Sequence, residues 1–239
     1  MNILITGGTG GLGYAIVKKL ATDKNNHVYF TYCNSANTAN AITEELSNTT
    51  AFKCNQKKKL ELDDLKEAIK TWDLDVLVNN AWTGSPEGIR FHKLTWEQLN
   101  DDFTRNVLPT IMITQTALET FRKKKSGKII TVLTSSLIGP PPLGYGMYGS
   151  SKAYIAQMAK TWSQEYIKQG ITSNCISPDF MQTGFTSGID SRVVEQMTAS
   201  HPLKHLLETK DVAEVVAFLI NSPQYINGIN IPINAGINI

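Results

Sequence analysis

Short apolar runs alternate with amphipathic stretches along the whole chain. Seven runs are short and rich in Val, Ile, Thr and aromatic residues, which is typical of buried strands; they are residues 2–6, 27–32, 50–54, 75–79, 128–134, 172–176 and 229–233. Apolar residues recur at helical spacing between them, in residues 14–20, 37–46, 60–71, 148 to about 169, and 211–220. Strict alternation with short loops predicts an α/β fold with a doubly wound parallel sheet of about seven strands.

Two segments depart from this alternation. Residues 95–124 predict one or two helices, with Pro109 interrupting or kinking the pattern. Residues 182–209 contain Gly and Ser, have partial helical spacing and lack a clean strand, so they are interpreted as a substrate lid. Because no linker or internal repeat divides residues 1–239, the sequence predicts a single domain.

Composition excludes several function classes. The 239 residues are 41% hydrophobic and 18% charged with a net charge of +2, which gives no electrostatic case for nucleic acid or an anionic membrane. The three cysteines are distant from each other and lack metal-ligand spacing, so we expect no metal site and a reduced cytoplasmic compartment. The chain opens directly with a strand, and its apolar runs stay well below the roughly 20 residues that span a bilayer.

A Gly-rich turn joins the first strand to the first helix. Gly7, Gly8, Gly10, Gly11 and Gly13 stand in this turn. Glycines there permit a tight turn, close approach of the backbone to a pyrophosphate, and close packing of helix on strand. The N–H groups at the helix start favour anionic phosphates. The motif predicts a dinucleotide site, against the alternative of a plain Gly-rich turn.

Tyr148 and Lys152 are four residues apart, and the residues that follow, 153–159, contain no helix breaker and carry apolar residues at helical spacing, which predicts a helix. The Tyr148 and Lys152 side chains therefore lie on one helical face, a turn from each other. Alone, this spacing is equally compatible with a solvated lysine beside a half-buried tyrosine. The other motifs of the chain, in order, give it weight.

Together these motifs resemble the short-chain dehydrogenase/reductase family, classical branch, over essentially the whole chain. The residues that carry the resemblance are Thr6, Gly7, Gly11, Gly13, Asn79, Asn80, Ala81, Asn106, Ser136, Tyr148, Lys152, and Asn174 to Thr183 around Pro178. The spacing of Gly7, Gly10 and Gly13 also matches the extended, sugar-nucleotide-modifying branch. The chain length and the Asn-Asn-Ala motif favour the classical branch. The resemblance implies a Rossmann-type fold.

The resemblance also implies four catalytic roles. Tyr148 would donate the proton in carbonyl reduction, and Lys152 would lower the tyrosine pKa and bind the nicotinamide ribose. Ser136 would hydrogen-bond the substrate oxygen, and Asn106 would hold a water that replenishes the proton. The spacing from Ser136 to Gly139 selects Ser136, while a loop one residue shorter than in many relatives keeps Ser135 as an alternative. The alternative for Asn106 is a helix cap or kink.

The implied cofactor is NADP(H), with NAD(H) left open. The residues expected to contact it are Thr6, Gly7, Gly8, Thr9, Gly10, Gly11, Leu12, Gly13, Tyr32, Cys33, Asn34, Ser35, Asn55, Asn80, Ala81, Tyr148, Lys152, Pro178 and Thr183. NAD-preferring relatives usually carry an acid after the second strand, where residues 31–35 contain none. Asn34 and Ser35 can hydrogen-bond a 2′-phosphate, although no Arg accompanies them.

Departures from the family pattern indicate a reshaped substrate pocket. Trp82 replaces the usual glycine after Asn80 and Ala81, and we hypothesise that it narrows the substrate entrance. Asp179 follows Pro178 where glycine is usual. The residues expected to contact substrate are Ser136, Trp82, Tyr148 and Asp179.

The favoured function is NADPH-dependent reduction of a ketone, with a 3-oxoacyl thioester of acyl carrier protein or coenzyme A as the best general fit. Lys128 could meet an acidic carrier, but a second basic site of such relatives is Gln169 here. An alcohol, polyol or sugar dehydrogenase is the alternative, followed by a sensor that binds NAD(P) without turnover. The resemblance also implies a homo-oligomer, either dimer or tetramer.

Overall fold

A computed structural model describes residues 1–84 and 88–237, in which seven strands form one parallel sheet. The strands are β1 (Asn2–Ile5), β2 (His27–Tyr32), β3 (Thr49–Lys53), β4 (Val76–Asn79), β5 (Gly127–Val132), β6 (Ile171–Pro178) and β7 (Asn230–Ile233). Their order across the sheet is β3-β2-β1-β4-β5-β6-β7. The predicted doubly wound α/β fold is therefore confirmed.

Helices cover both faces of the sheet. They are α1 (Gly11–Ala21), α2 (Ala36–Glu45), α3 (Lys59–Thr71), α4 (Trp96–Asp102), α5 (Leu108–Lys124), α6 (Gly146–Tyr166), α7 (Ser191–Ser200) and α8 (Thr209–Asn221). Alternate residues of a strand point to opposite faces, so each face builds its own core. Ile3 and Ile5 pack in the core that includes α1, α2 and α8, and Leu4 packs in the core that includes α3, α5 and α6.

The region around Pro109 contains one π-helical turn between two α-helices. Residues Phe103–Val107 form this turn, in which the N–H of Leu108 donates to the carbonyl of Phe103. Pro109 has no N–H to donate and crowds the preceding turn, which a wider π turn accommodates. The interruption predicted at Pro109 thus lies just before it, and it contains Asn106.

Several element boundaries differ from the sequence prediction. The fifth strand ends at Val132 instead of residue 134, and the sixth extends to Pro178 with every residue buried. The long helix ends at Tyr166 and continues as a 3₁₀ turn over Ile167–Gln169. The chain changes direction across the sheet between β1 and β4, where a crevice opens at the carboxyl ends of the strands.

Within residues 1–84 and 88–237, no helix is both long and apolar enough to cross a membrane.

Candidate active site

A cavity of about 1170 Å³ lies at the carboxyl ends of the strands. Its lining includes the predicted residues Gly7, Thr9, Gly10, Gly11, Leu12, Gly13, Tyr32, Cys33, Asn34, Ser35, Asn55, Asn80, Ala81, Trp82, Ser136, Tyr148, Lys152, Pro178, Asp179 and Thr183. Thr6, Gly8 and Asn106 lie behind this lining and support it, as their contacts show.

Thr6 and Asn80 brace the Gly-rich turn. The hydroxyl of Thr6 accepts hydrogen bonds from the backbone N–H groups of Asn80 (3.0 Å) and Ala81 (2.9 Å). The amide of Asn80 donates to the carbonyls of Thr6 (2.9 Å) and Gly7 (3.3 Å). These bonds tie β1 to β4, so both residues fix the shape of the turn from behind.

Three positions of the turn require glycine, two because a Cβ would meet neighbouring atoms and one because of its backbone conformation. A Cβ on Gly13 would stand 2.0 Å from the carbonyl oxygen of Gly7, and one on Gly8 would stand 2.5 Å from Phe30. Gly7 itself has a φ of +70°, which an L side chain rarely adopts. Gly8, predicted to contact the cofactor, is therefore a packing residue against β2.

The N-terminus of α1 faces the cavity without a side-chain cap. Gly10 is the N-cap residue and supplies no side-chain oxygen to the first N–H groups of the helix. Free N–H groups and the helix dipole form a site for an anion such as a phosphate. The turn therefore fits a dinucleotide pyrophosphate.

The far end of the cavity is polar and lacks acidic side chains. Tyr32, Cys33, Asn34, Ser35 and Asn55 line it. Among the lining residues that the structure describes, Asp179 is the only carboxylate, and it lies after β6 at the opposite side of the crevice. No negative charge on these lining residues therefore opposes a 2′-phosphate beside Asn34 and Ser35.

Tyr148 is surrounded by aromatic rings. Trp82 and Tyr145 meet its ring edge to face at centroid distances of 5.1 and 6.2 Å, and Phe185 lies at 5.9 Å. Burial among these rings raises the pKa of Tyr148 to about 12, and a hydrogen bond with Thr134 opposes that rise. Desolvation of the phenolate is the largest cause of this shift, and Lys152 is not among the groups that shift it.

Lys152 is a buried amine with an unusual set of neighbours. It is 5% exposed, its Nζ donates to the carbonyl of Val132 at 2.8 Å, and it lies 4.2 Å from the Trp82 ring centroid. Burial lowers the pKa of Lys152 to about 7, although the Asp102 carboxylate acts to raise it. Near neutral pH the amine is thus poised between its charged and neutral forms.

This burial predicts that Lys152→Met makes the protein more stable near pH 7. Lys152 loses its proton near pH 7 in the folded protein but only at about pH 10.4 in the unfolded chain. The charged lysine therefore destabilises the fold most strongly below pH 7, and this destabilisation disappears as the pH rises from about 7 to about 10.4. We expect a gain of about 1–2 kcal/mol, or a few degrees in Tm, at pH 7. The control is Lys160→Met at an exposed position of α6. A Tm that falls, or a gain that stays constant to pH 10, would contradict the prediction.

The two serines after β5 have different partners. The hydroxyl of Ser135 donates to Oδ1 of Asp179 at 2.9 Å. The hydroxyl of Ser136 accepts from the Thr134 hydroxyl, and the N–H of Ser136 donates to Thr134 Oγ1, both at 3.3 Å. Asp179, predicted as a substrate contact, is thus engaged by Ser135. This pairing supports Ser136 as the serine that meets substrate.

Asn106 is 1% exposed and works through its neighbours. Its Oδ1 accepts from the N–H of Thr83 at 2.8 Å, and its Nδ2 donates to the Thr83 carbonyl and to Oδ1 of Asp102. The other Asp102 oxygen accepts from Ser151 at 2.7 Å. This network ties the segment after β4 to the π turn and to α6, beside Lys152.

Sequence reasoning missed Thr134, Tyr145, Phe185 and the Asp102–Ser151 pair. A signal existed for two of them. Ser151 directly precedes Lys152 in the sequence. Asp102 lies four residues before Asn106, so these two side chains fall on the same side of a helix. Phe185 falls in the segment interpreted as a lid, where no periodicity predicts which side chain turns inward.

Comparisons with known proteins agree with this geometry. A family model described as enoyl-(acyl carrier protein) reductase matches residues 7–238. The 3-oxoacyl-[acyl-carrier-protein] reductase FabG of Staphylococcus epidermidis is 31% identical over an alignment of 241 positions, which covers 98% of this chain and 97% of the relative.

Two solved structures share the fold. A short-chain dehydrogenase from Burkholderia cenocepacia, in complex with NADP, is 25% identical with a TM-score of 0.85 and covers 99% of this chain and 97% of its own. A 3-ketoacyl-(acyl-carrier-protein) reductase from Brucella melitensis, complexed with NADH, is 21% identical with a TM-score of 0.87 and covers 100% and 98%. The full-length matches, with the Gly-rich turn and the Tyr148–Lys152 pair on one cavity, show that the chain belongs to the short-chain dehydrogenase/reductase family of NAD(P)-dependent oxidoreductases.

Proposed function

We propose that the protein reduces a ketone to a secondary alcohol with NADPH. The observation that carries this proposal is that Tyr148, Lys152 and Ser136 line the same cavity as the uncapped N-terminus of α1. The N-terminus of α1 would hold the pyrophosphate of a dinucleotide, and Tyr148, Lys152 and Ser136 would meet the reacting end of the cofactor in the same cavity. The family membership of the chain supports the same reaction.

Each residue then has a defined task. The bound dinucleotide supplies a hydride to the carbonyl carbon. Tyr148 gives its phenolic proton to the carbonyl oxygen as negative charge develops there, and Ser136 donates a hydrogen bond to that oxygen. Lys152 as an ammonium would favour the phenolate that remains, against the desolvation that raises the tyrosine pKa to about 12.

NADPH is favoured over NADH because polar, uncharged side chains follow β2. We expect Asn34→Asp to weaken NADPH binding about 10²-fold, since a carboxylate would repel the 2′-phosphate at short range. NADH binding should change only a few-fold. Titration of intrinsic fluorescence with each dinucleotide measures both affinities. Asn34→Ala is the control that removes the amide without adding charge, and equal losses for both dinucleotides in Asn34→Asp would contradict the assignment.

The cavity favours a substrate with an apolar portion. Apolar side chains of the segment 182–209 line it, namely Phe185, Ile189, Val193, Met197 and Leu206. We infer that this segment is the substrate lid, because α7 within it contains no buried residue and its Val193 and Met197 line the cavity. An acyl chain suits this lining, and the Staphylococcus epidermidis relative acts on a 3-oxoacyl carrier substrate by name. We therefore favour a 3-oxoacyl thioester, carried by coenzyme A or acyl carrier protein.

Oligomerisation through α4, α5 and α6 is part of the proposal. Trp96, Leu99, Leu108 and Tyr154 on these helices are between 39% and 78% exposed. A second copy of the chain would remove this apolar surface from water. The mass from sedimentation analysis decides between a monomer and a homo-oligomer.

Steady-state assays at 340 nm test the function directly. The rate of acetoacetyl-CoA reduction should be higher with NADPH than with NADH. A 3-oxoacyl thioester with a longer acyl chain should have a lower KM than acetoacetyl-CoA. Crotonyl-CoA separates ketone reduction from the enoyl reduction that the matching family model describes. Polyols and sugars with NADP test the alcohol dehydrogenase alternative. Dinucleotide binding without turnover of any substrate would identify a sensor and overturn the proposal.

A further inference from the structure

The ring of Trp82 lies beside both Lys152 and Tyr148, the two groups that the proposed reaction needs most. Its centroid is 4.2 Å from the Lys152 ammonium and 5.1 Å from the centroid of the Tyr148 ring, with the two aromatic planes at 84°. The segment that carries the ring is held in place, because both backbone groups of Thr83 bond to the side chain of Asn106. The ring position is therefore built into the fold after β4.

We propose that Trp82 is a positioning residue that holds the Lys152 ammonium by a cation–π contact and the Tyr148 ring by an edge contact. This inference rests on the proposed function and extends it to a residue outside the four expected roles. A cation within about 6 Å of an indole face is attracted to the ring, most strongly where water is excluded. Lys152 is buried, and its described hydrogen bond is to the Val132 carbonyl, so the indole compensates part of the lost hydration.

Trp82 is the nearer of two aromatic rings to the Lys152 ammonium, since the Tyr148 centroid is 5.9 Å away, and the Asp102 carboxylate also favours the charged form. Tyr148 lies one turn before Lys152 on α6, Cys175 lies on β6, and Asp102 lies on α4. The Asp102 carboxylate is already hydrogen-bonded by Asn106 and Ser151. Neither phenol nor thiol is charged near neutral pH, because burial raises the pKa of both Tyr148 and Cys175 to about 12.

The contact has a consequence for pH dependence. An indole face stabilises the ammonium and not the neutral amine, so Trp82 opposes the lowering of the Lys152 pKa by burial. Removing the indole should lower the Lys152 pKa further. If turnover needs the ammonium, the upper limb of the pH profile then moves to lower pH.

Trp82→Leu tests the proposal, with Trp82→Phe as the matched variant that keeps a weaker aromatic face. The upper limb of the pH profile of kcat/KM should move down by about half to one pH unit in Trp82→Leu, and less in Trp82→Phe. NADPH affinity at pH 6, where the amine is charged, should change less than about threefold in both. An unmoved limb, or equal shifts in both variants, would overturn the proposal.

A second readout is independent of turnover. As the pH rises above 7, the wild-type protein should become more stable because folded Lys152 loses its proton. In Trp82→Leu this increase in stability should start at a lower pH. Measuring Tm from pH 5.5 to pH 10 shows where the increase starts in each protein. Lys152→Met in the Trp82→Leu background should abolish that difference. If the protein proves to be inactive, this shift still tests the contact. An altered range of substrate sizes with unchanged pH behaviour would instead assign Trp82 to the substrate entrance alone and refute the electrostatic role.

Discussion

Tyr148→Phe is expected to lower kcat about 10²- to 10⁴-fold, which is the range that a positioned general acid contributes. The substitution removes the phenolic proton while the ring keeps its contacts with Trp82, Tyr145 and Phe185. Fold stability and NADPH affinity should therefore stay close to those of the wild type. Single-turnover reduction of acetoacetyl-CoA, followed by NADPH absorbance, measures the chemical step.

The matched control is Tyr145→Phe. Tyr145 lines the same cavity, and its ring centroid is 6.2 Å from that of Tyr148. Tyr145→Phe therefore removes a phenolic hydroxyl from the same aromatic surroundings without removing the proposed proton donor. We expect less than a fivefold change in kcat, on the order of 1 kcal/mol. Comparable losses in the two variants would show that the aromatic surroundings matter more than the Tyr148 proton, and would remove Tyr148 as the general acid.

Gly13→Ala is expected to reduce both stability and dinucleotide affinity. The new methyl group would stand 2.0 Å from the Gly7 carbonyl oxygen and 2.8 Å from Nδ2 of Asn80, so the turn must move. Overpacking of this kind costs about 1–3 kcal/mol, which corresponds to several degrees in Tm. Since the displaced turn also holds the proposed phosphate site, NADPH affinity should fall at least about tenfold. Thermal unfolding and fluorescence titration measure the two effects.

Gly149→Ala provides the control within α6, where an added methyl group meets nothing within 4 Å. Helix propensity predicts a gain of up to about 1 kcal/mol there. A Gly13→Ala protein with wild-type Tm and wild-type NADPH affinity would show that the turn is less constrained than its contacts indicate.

Local patterns along the chain determined the α/β fold and most of the cavity lining. The short apolar run Ile3, Leu4 and Ile5 predicts a strand buried on both faces, and strand geometry alone sends successive side chains to opposite faces. The Gly-rich turn and the four-residue spacing of Tyr148 and Lys152 are also local, because backbone geometry within one turn or one helix fixes them. These features could therefore be read without knowing any long-range contact.

Only the tertiary structure decided which side chains of the site are hydrogen-bonded to each other and how the pKa of Lys152 is shifted. Ser135 is committed to Asp179, which lies 44 residues away in sequence, and this separates it from Ser136. Lys152 has a pKa of about 7 because the elements packed around it exclude water, and desolvation depends on every neighbour at once. Periodicity in a sequence reports which face of an element is buried, but the groups that meet across the crevice depend on how distant elements pack.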